Sequence, residues 1–133
     1  MKRLIFLYCI MMAASCCFAQ SNKQENRKNL TIKEWKRDNA GKGVRCLDHV
    51  TKYDAYGRKM EEVEYYTNNM LKDRCTYEYD ANGKLYREVL YNERNKPVRI
   101  RKFEYNPDGT KKRQYNYAPN GKLLSVREFE YVH

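Results

Sequence analysis

Apolar and polar side chains alternate along this chain, and tyrosine marks the alternation. Tyr53, Tyr65, Tyr79, Tyr91, Tyr105, Tyr117 and Tyr131 are separated by steps of 12 and 14 in strict alternation, so each of two series recurs every 26 residues. A fixed period of this kind is the mark of a repeat architecture. Two residues before each tyrosine stands Thr51, Val63, Tyr77, Val89, Phe103, Tyr115 or Phe129. All are β-branched or aromatic, and a spacing of two sets each beside its tyrosine on one face of a strand. Helical spacings of three and four do not recur.

The residues after each tyrosine predict turns. Four positions on stand Gly57, Asn69, Gly83, Asn95, Gly109 and Gly121. Glycine and asparagine accept a left-handed backbone at least cost. Asp54, Asp80, Asn92 and Asn106 follow their tyrosines directly, and Pro107 and Pro119 come next in two turns. That composition predicts a type I turn closed by a left-handed residue, the three-residue hairpin loop. Six such turns link seven strands of about 8 to 10 residues, within the usual length range. Leu30–Arg37 is a candidate eighth strand, because Asp38-Asn39-Ala40-Gly41 imitates the later turns. A short helix opened by the capping signature Thr31-x-x-Glu34 is the competing reading.

These turns pair Tyr65 with Leu71, Tyr91 with Pro97 and Tyr117 with Leu123. On an uninterrupted ladder Tyr77 then meets Arg87, Phe103 meets Arg113, and Arg101 meets Tyr115. The periodic tyrosines share one face. With 33% charged residues and a mean hydropathy of −1.01, neither face is apolar enough for an ordinary sandwich. The expected fold is all-β: an antiparallel meander of seven or eight strands built from 12/14-residue hairpin repeats, forming a curved, open, single-layer sheet. A closed β-barrel is the alternative, since closure removes edges.

Residues 1–19 read as an export signal. Lys2 and Arg3 precede the apolar run Leu4–Ala14, and the stretch ends Cys17-Phe18-Ala19. The run is too short for a membrane span, and cleavage after Ala19 predicts a secreted or periplasmic protein. Lipoprotein processing at Cys16 is the rival. Residues 20–29 read as a disordered lead-in, and residues 30–133 as the β-repeat domain. Cys46 and Cys75 remain beyond the signal. They fall on opposite faces, with a whole strand between theirs, a separation of about 9.6 Å. A disulfide needs Cα atoms within about 7 Å, so two unpaired thiols or an intermolecular bond are expected.

Catalytic chemistry is poorly represented. His49 and His133 are the only histidines, no cluster has metal-ligand spacing, and every glycine from Gly57 onward has a turn role. The expectation is a non-catalytic protein without metal or cofactor. The formal net charge is +10. On the uninterrupted ladder Arg87, Arg99, Arg101, Lys111, Arg113 and Arg127 share one face of the last four strands with no acid. Arg87 then faces Arg101 and Arg113 faces Arg127, like charges directly opposed. The plain reading is that each arginine leans on an aromatic ring and is solvated. The functional reading is an anion-binding surface. Arg87, Arg99, Arg101, Arg113 and Arg127 supply guanidinium forks. Tyr77, Phe103, Tyr115 and Phe129 supply platforms for sugar rings or bases.

The motif Tyr-Asp-x-x-Gly-Arg/Lys, at Tyr53–Arg58 and Tyr79–Lys84, resembles the YD repeat of bacterial Rhs-type proteins. The resemblance spans Tyr53–Tyr131. It implies a spiralling β-sheet and, in some members, carbohydrate binding. The alternating turns are also similar to MORN-type hairpin repeats, which are binding and scaffolding modules. The expected function is a secreted binding module for an acidic glycan or other polyanion. The alternative is an assembly module that pairs with a protein through the exposed strand Lys122–Tyr131.

Overall fold

The computed structural model describes residues 23–133, so the export signal and the rival lipid site at Cys16 lie outside the described residues. Eight strands follow in chain order: β1 (Thr31–Lys36), β2 (Cys46–Tyr53), β3 (Lys59–Tyr65), β4 (Leu71–Tyr79), β5 (Leu85–Tyr91), β6 (Pro97–Tyr105), β7 (Lys111–Tyr117) and β8 (Leu123–Glu128). They form one antiparallel sheet in the order β1-β2-β3-β4-β5-β6-β7-β8. The sheet is open, since β1 and β8 each have a single neighbour; the barrel alternative is not adopted. Leu30–Arg37 contributes a strand rather than a helix.

The turns have the expected chemistry. Gly57, Asn69, Gly83, Asn95, Gly109 and Gly121 all have left-handed φ, from 57° at Asn95 to 88° at Gly109 and Gly121. In the first turn the Gly57 N–H donates to the Asp54 carbonyl at 3.0 Å, and the Asp54 N–H donates to the Arg58 carbonyl at 2.8 Å. The Asp54 carboxylate caps the loop from inside, accepting from the N–H groups of Tyr56 and Arg58 at 2.9 Å each. Burial by itself raises the Asp54 carboxyl, but those donors and the Arg58 guanidinium outweigh it and hold it below the ordinary carboxylate value.

Register departs from expectation one step beyond each tyrosine. Tyr65–Leu71, Tyr91–Pro97 and Tyr117–Leu123 pair as expected. The ladder then slips. Tyr79 opposes Leu85, but Glu78 opposes Arg87, which leaves Tyr86 without a partner. The same slip occurs in the other five tyrosine hairpins, leaving Met60, Lys72, Val98, Lys112 and Leu124 as extra residues, and β1–β2 slips likewise at Asp48; all six are exposed. Each is a β-bulge, two residues against one. A bulge changes the parity of the strand that follows, so the two tyrosine series occupy opposite faces. Tyr53, Tyr79, Tyr105 and Tyr131 belong to one, called here the first face. Tyr65, Tyr91 and Tyr117 belong to the second.

The bulge also corrects the charge pairing. Arg87 opposes Lys102 and Glu78 rather than Arg101, and Arg101 opposes Glu88 and Asn116. Arg113 opposes Glu104 and Glu128, not Phe103 or Arg127. Arg101 and Arg113 therefore meet opposite charges where the uninterrupted ladder would set like charges together, while Arg87 gains Glu78 but still faces the like charge of Lys102.

The buried core is small. Among the described residues, Val50, Val63 and Val89 are the buried apolar ones, and Thr51 is buried too. Val50 and Val63 oppose each other on the second face. The rest of the stabilisation comes from stems and rings laid along the sheet. Arg58 lies over Tyr79 at 4.6 Å, Arg74 over Tyr91 at 4.5 Å, Lys84 over Tyr105 at 5.8 Å and Lys102 over Tyr117 at 5.4 Å. First-series hydroxyls also tie neighbouring strands at their open ends. Tyr79 donates to the Lys59 carbonyl at 2.7 Å, Tyr105 to Leu85 at 2.5 Å and Tyr131 to Lys111 at 2.9 Å. Cys46 and Cys75 are both free thiols.

Candidate anion-binding groove

Three of the arginines singled out from the sequence come together, and two do not. Arg99 and Arg101 stand on β6, Gln114 and Asn116 on β7, and Ser125 and Arg127 on β8. Arg101 opposes Asn116, Asn116 opposes Ser125, and Gln114 opposes Arg127, so all belong to the first face. With Leu124 they line a groove of about 300 Å³. Its floor is a polar chain: the Gln114 amide donates to Asn116 Oδ1 at 2.9 Å, and the Asn116 amide donates to Ser125 Oγ at 2.9 Å. Adjacent strands lie about 4.8 Å apart, so the arginines of β6 and β8 flank this floor at a separation of roughly 10 Å.

The charge in the groove is only partly balanced. Arg101 Nη1 reaches Glu88 Oε2 at 3.4 Å. Arg99 and Arg127 have no carboxylate partner among the described residues. A guanidinium carries five donors and no acceptor, so two forks here remain open to an incoming anion.

Arg87 and Arg113 lie on the second face and are engaged there. Arg87 Nη1 contacts Glu78 Oε2 at 2.8 Å, while Arg113 contacts Glu128 at 3.2 Å and Glu104 at 3.9 Å. The Glu78 hydrogen bond raises the Arg87 guanidinium above its ordinary value, and the neighbouring Tyr115 hydroxyl, then the Glu128 and Glu104 carboxylates, do the same for Arg113. The aromatic residues divide as well. Tyr115 lies on the second face, stacked on Tyr117 with centroids 6.5 Å apart, and its hydroxyl donates to Glu104 at 2.9 Å. Tyr77 lies on the first face but at a distance from the groove, with its hydroxyl bonded to Glu62 and Lys59 over its ring. Burial, then that bond, pushes the Tyr77 hydroxyl far above its ordinary value. Phe103 is on the first face under Lys111 Nζ at 4.7 Å. Phe129 follows β8, its N–H donating to the Lys112 carbonyl at 3.1 Å.

Gln114, Asn116 and Ser125 were not among the expected site residues. Their signal is a run of uncharged hydrogen-bonding side chains at alternate positions between arginines, visible only once the bulge sets the faces. A larger concavity of about 1010 Å³ lies between residues 23–27 and the turns at 56–58 and 79–83. Its basic centre, Arg58, is bonded to Asp54 Oδ2 at 2.9 Å and held between Tyr56 and Tyr79. Its donors are more committed than those of Arg99 and Arg127, so the smaller groove is the better anion site.

A family model described as "Uncharacterised protein" matches residues 46–131, well over half of the chain, and the protein belongs to that family. No curated protein matches the sequence. Among solved structures, the chain is similar to the GtfA/B complex bound to UDP and GlcNAc, at 15% identity and a TM-score of 0.31, covering 73% of this chain and 20% of that one. It is similar to TarM at 16% identity and a TM-score of 0.36, covering 90% of this chain and 26% of that one. The chain thus spans about a quarter or less of each. No helix among the described residues is long and apolar enough to cross a membrane.

Proposed function

We propose that this family member is an exported, non-catalytic binding module whose β6–β8 groove takes a polyanion, an acidic glycan being the preferred class. The observation that carries the reading is the pair of uncompensated guanidinium groups, Arg99 and Arg127, beside Arg101 and above a floor of amide and hydroxyl groups. Guanidinium forks bind sulfate and carboxylate groups in two-point geometry. Amides and a hydroxyl add the uncharged donors and acceptors that sugar hydroxyls require. Spacing of roughly 10 Å across three strands suits successive charged groups of a polymer better than one small anion.

A polyanion and glycan array tests this. Bound signal should fall steeply with salt, because each neutralised anionic group releases condensed counterions. Arg99→Glu with Arg127→Glu should abolish it. Lys102→Glu with Lys112→Glu changes the net charge equally outside the groove and should retain most of it. Equal loss in both double variants means bulk charge, and the groove is then not a site. The export part of the reading rests on Lys2, Arg3 and the apolar run up to Ala14. An intact mass for a chain starting at Gln20 supports it; a diacylated chain starting at Cys16 replaces it with a surface lipoprotein.

A further inference from the structure

The two terminal strands of the sheet are complementary to each other. Among the described residues no strand lies beyond β1 or β8. The eight strands alternate in direction, so β8 runs opposite to β1. A second copy in the same orientation therefore offers β1 antiparallel to the β8 edge, as the meander itself would continue.

The backbone limits the register. The Phe129 N–H donates to Lys112 on β7, which turns residues 125, 127 and 129 inward and leaves the N–H and C=O groups of Val126 and Glu128 facing outward. The Leu30 carbonyl accepts from Tyr53 on β2, so residues 30, 32 and 34 face inward, and Lys33 and Trp35 face outward. Outward groups must meet outward groups. Of the registers that satisfy this, one sets Glu128 opposite Lys33, Arg127 opposite Glu34, Val126 opposite Trp35 and Phe129 opposite Ile32. Both ion pairs then have opposite sign, each on its own face, and both remaining pairs are apolar. A slip of two residues one way sets Arg127 against Lys36; the other way sets Val126 against Lys33 and leaves Glu128 against Thr31. A slip of one reverses every face. The side chains at this seam are available: Ile32, Trp35, Val126 and Phe129 are 37%, 45%, 42% and 38% exposed.

We propose that the partner of the β8 edge is the β1 edge of a second copy of this chain, joined head to tail in that register. The contact is heterologous, so it extends into an open assembly instead of closing as a dimer. Its test does not rest on the polyanion reading: Lys33 and Glu128 lie on the second face, away from the groove, although the same seam sets Glu34 opposite the groove's Arg127.

Sedimentation velocity on the full purified chain, without any polyanion, tests it, with the emission of Trp35, the single tryptophan, as a second readout. The weight-average mass should rise with concentration past that of a dimer, and Trp35 emission should shift to the blue in step. Lys33→Glu and Glu128→Lys should each require at least tenfold higher concentration to assemble. Glu128→Lys also loses its Arg113 contact, a loss that the swapped pair Lys33→Glu/Glu128→Lys shares; that pair should restore assembly. Val126→Pro removes an outward donor while leaving the β7 ladder intact, and should stop assembly with unchanged circular dichroism. A monomer at every concentration up to the millimolar range overturns the proposal. So does a closed dimer, or a swapped pair that assembles no better than the single variants.

Discussion

The first face of the sheet holds two opposite electrostatic regions on one backbone pattern. Across β1–β4 it presents Glu34, His49, Glu64 and Asp73 in a directly opposed row, with Glu62 in the next row. Across β6–β8 it presents Arg99, Arg101 and Arg127. Much of the acidic region is compensated by neighbouring lysines. Lys59 Nζ sits 2.6 Å from Glu62 and Lys72 Nζ 3.5 Å from Glu64. Among the described residues the basic region has a single compensating contact, from Glu88 to Arg101. Identical hairpins therefore do not imply equivalent surfaces. Where opposite charges satisfy each other the region reads as structural, and where two guanidinium groups stand open the region has capacity for a ligand.

The regions differ also in how their turns are covered, and this gives the largest expected effect. Residues 23–25 form a helical turn. Here the Gln24 amide donates to the Tyr56 carbonyl at 2.8 Å, and the Asn29 N–H donates to the Asp54 carbonyl at 2.9 Å. The packing is so close that a Cβ on Gly57 would lie 2.1 Å from the Gln24 carbonyl oxygen, whereas one on Gly121 would meet nothing within 4 Å. Both glycines are left-handed, at φ 75° and 88°. Gly121→Val should cost backbone strain alone, of order 1–3 kcal/mol. Gly57→Val adds displacement of the N-terminal segment and should melt several degrees lower than Gly121→Val. Equal melting temperatures would mean that the segment contributes nothing to the sheet.

The turn glycines and asparagines, the tyrosine period and the pairing of Tyr91 with Pro97 were all legible in the sequence. A left-handed residue leaves a chemical mark, because few side chains tolerate it. The β-bulge beyond each turn leaves none. Its extra residues are Met60, Lys72, Tyr86, Val98, Lys112 and Leu124, which share no chemistry, since a bulge without a left-handed residue accepts almost any side chain. Missing it merges two faces into one, and Arg87 and Arg113 then appear to join the groove. One clue was present. The uninterrupted ladder opposes Arg87 to Arg101 and Arg113 to Arg127, whereas a one-residue slip gives Glu78–Arg87, Glu88–Arg101 and Arg113–Glu128. Charge pairing across strands could have set the register where turn chemistry could not.

The smallest expected effect separates carboxylates within the acidic region. Burial raises Glu62, but hydrogen bonds from Lys59 and Tyr77 and the charges of Lys59 and His49 outweigh it, and its folded value lies below the ordinary 4.5. Asp73 goes the other way: burial and then the Glu64 carboxylate lift it above its ordinary 3.8, with Lys72 only partly offsetting them. The signs of their linkage to stability are therefore opposite. A lowered folded value stabilises the protein above the unfolded value, and that contribution disappears as pH falls through the folded one. A raised folded value is most favourable below the unfolded value and loses its contribution as pH rises through the folded one. Glu62→Gln should therefore melt lower than the parent at pH 7, with the gap narrowing as pH falls below about 4.5. Asp73→Asn should melt slightly higher than the parent at pH 7 and lose that advantage below pH 3.8. Thermal melts of the three proteins at pH 7 and pH 3 decide it. If Asp73→Asn melts below the parent at pH 7, Asp73 is a compensated member of the cluster like Glu62, and the acidic region has no unbalanced carboxylate at this position.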